Sequence, residues 1–169
     1  MTRFPLIAAA LLAALLLAGC QGAGDEDEST VEAELPALVA PTSTNDDEWK
    51  AYLGQVIGRN VDGITERTFN YYLPANTDPA EVDGPYSRMQ MDVQGAVQRG
   101  VLPGNMLSFS SPNSTMMADL IVAAFAAEGV KDTALSGSRV LFIGQAKDES
   151  RVRQAVLATG AEFRFVEAK

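Results

Sequence analysis

The sequence predicts a single α/β domain over residues 46–169, with alternating helices and strands and about four strands in a two- or three-layer sandwich. Three observations predict it. Apolar spacing switches repeatedly between the 3.6-residue period of a helix and the two-residue period of a strand. The run Val140-Leu141-Phe142-Ile143 is apolar on both faces, as expected of a central strand covered from both sides. About 120 residues suffice for one domain with a modest core.

The elements follow in order. From Asp46 to Arg59, the residues Trp49, Tyr52, Leu53, Val56 and Ile57 fall on one helical face, with Thr44 or Asn45 as the cap. Arg67 to Leu73 alternates, placing Phe69, Tyr71 and Leu73 on one side, and stops at Pro74, which reads as a strand. A loop covers residues 76–84. Pro85 or Ser87 opens a second helix, which buries Met89, Val93, Ala96 and Val97 and ends at Gly100. After the Pro103-Gly104 turn comes a short strand, Met106 to Ser110. Ser111-Pro112 reads as a cap followed by a proline at the first helical position. The helix it introduces, Met116 to Ala127, is apolar nearly all round apart from Asp119, so it should be buried in the domain. The strand Arg139 to Gly144 is next. Asp148 is expected to cap a helix presenting Val152, Ala155, Val156 and Thr159, with Gly160 as its stop. Glu162 to Glu167 alternates Phe163 and Phe165 with charge, the pattern of a half-exposed edge strand. Leu107, Phe109, Leu120, Ile121, Phe125, Val140, Phe142, Phe163 and Phe165 are the expected core.

The N-terminus obeys different rules. Arg3 precedes an almost wholly apolar run, Phe4 to Leu16, which is short for a membrane span of about 20 residues and fits a secretory signal. It ends in Leu17-Ala18-Gly19-Cys20. These four residues resemble the lipobox of the bacterial lipoprotein class. That resemblance implies cleavage before Cys20, attachment of a diacylglycerol to its thiol and acylation of the new N-terminus. It covers only the first 20 residues. Several acyl chains would hold Cys20 stably on a bilayer, because each buried methylene contributes about 0.8 kcal/mol. Gln21 stands where the best-known sorting rule of that class uses Asp for inner-membrane retention, which implies the outer membrane facing the periplasm. Cys20 is the only cysteine, so no intramolecular disulfide can form.

Residues 20–45 are then expected to be a disordered acidic tether. They include Asp25-Glu26-Asp27-Glu28, and no Lys or Arg occurs from Gln21 to Trp49. A neutral coil of that length spans roughly 25–30 Å, and like charge extends it further. Four adjacent acids on a flexible chain lack the spacing of a calcium loop, whereas Leu35, Leu38 and Val39 could dock to a partner. Of the net charge of −9, nine acidic residues lie between Gln21 and Glu48. From Trp49 onward 13 acidic residues face 12 basic ones, leaving the domain nearly neutral. No basic face with interleaved aromatics suggests a nucleic acid, so the expected partners are the bilayer, through Cys20, and another envelope protein.

Conventional catalysis has few residues to draw on. The chain has no histidine, and its one cysteine is assigned to lipid. No phosphate-binding or dinucleotide-binding glycine loop is present. We therefore expect no cofactor, no metal and no enzyme. Two places remain for binding. One is the hydroxyl-rich turn with Ser110, Ser111, Asn113, Ser114 and Thr115, at the carboxyl end of a strand and the start of a helix, which could meet a small anion or cell-wall fragment or could simply cap the helix. Lys147 and Asp148 would lie beside it in a parallel sheet. The other is the Tyr71-Tyr72 pair, where alternation should bury one ring and expose the other, with Tyr72 as a partner contact. Asp62 and Glu66 fit a solvated turn better than a glycosidic carboxylate pair.

Overall fold

The computed structural model describes residues 36–169. The expected signal peptide, Cys20 and the tether up to residue 35 lie outside the described residues.

Four helices and four strands alternate: α1 (Asp46–Gly58), β1 (Thr68–Tyr72), α2 (Pro85–Arg99), β2 (Met106–Ser110), α3 (Ser114–Phe125), β3 (Arg139–Gly144), α4 (Ala146–Leu157) and β4 (Glu162–Glu167). The strands form one all-parallel sheet in the order β1-β2-β3-β4, with Thr68 opposite Met106, Met106 opposite Arg139 and Arg139 opposite Glu162. Each new strand is added on the same side of the last. Crossovers of one hand then place every connecting helix on one face, and α2, α3 and α4 share a core with Leu107, Phe109, Val140 and Phe142. The opposite face would be bare without α1, which precedes the sheet in the chain. Trp49, Tyr52, Leu53 and Val56 of α1 cover Met106, Leu141 and Ile143 there. The sandwich therefore has three layers, with one helix against three.

This layering accounts for β2 as well as β3. Every residue of both strands is buried, including Ser108, Ser110 and Arg139. Ser108 donates from its hydroxyl to Asn70 Oδ1 at 2.7 Å, which satisfies a polar group inside the sheet. Helix α3 lies between α2 and α4, and its buried side includes Met117, Leu120, Ile121 and Ala124, as its all-round apolar composition requires. Phe163 and Phe165 pack against the same core but are only half-buried, because β4 is an edge.

Three local expectations are corrected. Residues 36–45 do not behave as tether. Leu38 and Ala40 pack against the α1 layer beside Val166 and Ala168. Ala40 N–H donates to Lys169 O at 2.9 Å, Trp49 Nε1–H to Ser43 O at 2.8 Å and Arg59 Nη1 to Pro36 O at 2.6 Å. Leu38 thus has an internal seat, whereas Val39 is exposed. The cap of α3 is Asn113, whose Oδ1 accepts from Met116 N–H at 3.2 Å. Ser111 Oγ accepts instead from Asn113 N–H at 3.0 Å, so Ser111 and Pro112 belong to the preceding turn. Helix α4 begins at Ala146 after Gln145, which places Asp148 inside its first turn.

Candidate functional site

The hydroxyl turn after β2 and the turn after β3 meet at the carboxyl ends of the central strands, where open α/β sheets hold their ligands. The chain fills this position with its own groups. Ser114 Oγ donates to Asp148 Oδ2 at 2.8 Å and accepts from Gln145 N–H at 2.8 Å. Thr115 Oγ1 donates to the same carboxylate oxygen at 3.2 Å. Arg151 reaches Asp148 Oδ1 from Nη2 at 2.8 Å, donates to Thr115 O at 3.1 Å and pairs with Asp119. Asp148 is buried, with 3% of its surface exposed, although it carries a charge. Burial opposes its ionisation. Hydrogen bonds from Arg151, Ser114 and Thr115, together with the Arg151 charge, outweigh that and hold the carboxyl below the usual aspartate range.

Close approach of the two turns depends on Gly144. A Cβ there would stand 2.6 Å from Ser114 Oγ and 2.5 Å from Phe142 Cζ. Within this region Ser110 and Ser111 are buried, Asn113 is an exposed cap and Lys147 is exposed. The negative charge that two helix N-termini would accept from a ligand is supplied by Asp148. A cavity of about 300 Å³ remains beside the turn, lined among others by Thr42, Ser43, Ser111, Ser114, Gln145 and Lys169.

Tyr72 does not stand free as a contact residue. It is half-buried on the α1 face and donates from its hydroxyl to Asp46 Oδ1 at 2.9 Å, with Lys50 Nζ 6.0 Å from the ring centroid. Burial, then the bond to Asp46, push its pKa up. Tyr71 takes the other face and stacks on Phe109 at 4.9 Å between ring centroids. Alternation thus sent the two rings to opposite faces, but both faces are covered, so neither ring is fully exposed.

The Asp62 carboxylate is held by Arg164, whose hydrogen bond and charge keep it below the usual aspartate range. Arg139, buried at the start of β3, donates to Asn60 O and Asp62 O at 2.8 Å each and to Glu162 Oε1 at 2.9 Å. These contacts make the residues around Asp62 an ion-paired brace at the amino ends of the strands. Glu66 lies elsewhere.

Sequence reasoning missed the opening beside β1. A groove of about 620 Å³ runs between β1 and α2, with Phe69, Tyr71, Leu107, Ala96 and Val101 among its apolar lining. Glu66, Arg67, Asp92 and Arg99 also line it, and none of the four joins a salt bridge among the described residues. Phe69 is 42% exposed and Leu102 77% exposed at its border. The signal in the sequence was Phe69, an apolar strand residue two positions after Arg67; its meaning depended on β1 being an edge. Among the described residues no group of three or more His, Cys, Asp or Glu could hold a metal ion, and no helix is long and apolar enough to cross a membrane. No family model, no curated protein and no solved structure matches this chain.

Proposed function

We propose that the chain is a lipoprotein of the cell envelope, held by acylated Cys20 on the periplasmic face of the outer membrane, whose α/β domain binds another envelope protein without catalysing a reaction. The observation that carries this reading is the open groove beside β1. There exposed Phe69 and Leu102 stand among two guanidinium and two carboxylate groups that have no salt-bridge partner among the described residues. Aromatic and arginine side chains are enriched among the anchors of protein interfaces. An immunity or inhibitor protein that blocks a toxin or hydrolase in the periplasm is a specific form of this function. Confinement by the tether raises the domain's effective concentration for membrane-proximal partners.

A second reading, a small-anion or cell-wall-fragment binder, draws on the cavity beside Ser111 and Lys169. It is the weaker of the two, because Ser114, Thr115 and Asp148 bond one another. Crosslinking in intact cells followed by purification tests the leading function. A stoichiometric envelope protein should be captured, and the yield should fall with Cys20→Ser. Capture of nothing from whole cells and from purified membranes rejects it.

A further inference from the structure

The two edges of the sheet are built differently. On β4, charged Glu162, Arg164 and Glu167 guard the edge and Arg153 covers Phe163, its guanidinium carbon 4.6 Å from the ring centroid. Charge on an edge strand is a common defence against pairing with another chain. On β1 the sequence is Thr-Phe-Asn-Tyr-Tyr, with no charge at all.

The ladder fixes which backbone groups of β1 are free. Met106 N–H donates to Arg67 O at 2.9 Å and Leu73 N–H donates to Ser110 O at 3.2 Å. Backbone direction alternates along a strand, so Arg67, Phe69, Tyr71 and Leu73 address β2, while Thr68, Asn70 and Tyr72 point their N–H and C=O groups away from it. β1 pairs with β2 alone, and no other backbone bond engages those three residues among the described residues. Directly beside this edge lies the groove under α2.

We propose that β1 accepts an extended segment of another envelope protein as a fifth strand, with alternate side chains of that segment entering the groove between β1 and α2. This rests on the reading of the domain as a protein-binding module. An added strand runs about 4.8 Å from β1 and sends every second side chain to the α2 face. The groove is large enough for more than one bulky side chain, and Phe69, Tyr71, Ala96 and Leu107 give it an apolar lining. Its charge is balanced, Arg67 and Arg99 against Glu66 and Asp92. The complementary segment therefore carries no net charge and has large apolar residues at alternate positions. Main-chain bonds supply the affinity, and the groove supplies the selection.

The test uses the full-length acylated chain in detergent micelles, panned against a displayed library of random decapeptides. The strongest binder is then synthesised in three forms: unmodified, and with methyl groups on either of the two alternating sets of backbone nitrogens. Strand addition predicts alternating apolar residues among the selected peptides. It also predicts at least a tenfold loss of affinity for one methylated set and little change for the other, since only alternate N–H groups face β1.

Thr68→Pro removes an outward donor at the first position of an edge strand, where proline is tolerated, and should weaken binding at least tenfold. Phe69→Lys should do the same by placing a charge beside the groove. Failure to select any peptide, equal affinity of all three forms, or unchanged binding by Thr68→Pro overturns the proposal. So does a dimer in sedimentation velocity that Thr68→Pro disperses, which would give the edge to a second copy. If Thr68→Pro protein still crosslinks the envelope partner in cells, strand addition falls and the protein-binding function stands. Loss of every crosslinked partner from the unmodified protein removes both.

Discussion

Asp148 shows how one side chain closes a position that the fold would otherwise offer to a ligand. It sits in the first turn of α4, receives hydroxyls from the first turn of α3 and is neutralised by Arg151. Asp148→Asn should destabilise the domain by about 2 kcal/mol, within the range for removing a charged hydrogen-bond partner from a buried site, as read by urea denaturation. Because the folded carboxyl titrates below its unfolded value, its stabilisation is complete above about pH 4 and is lost as pH falls through the lower, folded pKa. The gap between the original protein and Asp148→Asn should therefore shrink on acidification. A gap independent of pH would contradict this account. Arg139 is the second residue of this kind. Arg139→Met keeps apolar bulk but removes the donor to the Asn60 and Asp62 carbonyls, while the exposed Glu162 carboxylate returns to water, and should cost about 1–2 kcal/mol in the same measurement.

At the scale of elements, α1 has the simplest task and no substitute. Three crossovers of one hand put α2, α3 and α4 on one face, so a helix from outside the repeating order must cover Met106, Leu141 and Ile143. Leu53→Ala at the centre of that cover should cost about 2–5 kcal/mol, the range for truncating a buried leucine, and its thermal midpoint should fall accordingly. The exposed Leu157 on α4 serves as control, since Leu157→Ala should change stability by no more than about 0.5 kcal/mol. Segment 36–45 extends the same layer, bonded to the C-terminal Lys169 and to α1. Its apolar residues were visible in the sequence. That Leu38 would face the protein's own Val166 and Ala168 was not, because the two meet across more than a hundred residues of chain.

For the molecule as a whole, the prediction concerns place. Under the proposed lipidation, wild-type protein should carry acyl chains on Cys20 and sediment with membranes, and Cys20→Ser should carry none. Intact-protein mass spectrometry of the membrane-bound wild type that finds an unmodified Cys20 would refute lipidation as the means of attachment. The order of helices and strands was legible in the sequence because local periodicity reports which face of each element meets apolar surroundings, and α1, β3 and the half-buried β4 could be read that way. The hydroxyl turn was legible as a place but not as a role. Nothing local to Ser114 announces that Asp148, 34 residues onward, will take its proton donor. The half-burial of Tyr72 was not legible for the same reason: alternation predicts which way a ring points, not what waits on that side. Sequence by itself determined the alternating α/β order, the absence of histidine and the lipobox resemblance at Cys20, all properties of neighbouring residues. Tertiary structure alone decided that the sheet order leaves β1 as an uncharged edge beside a groove, because pairing of strands is a long-range choice that no local pattern encodes.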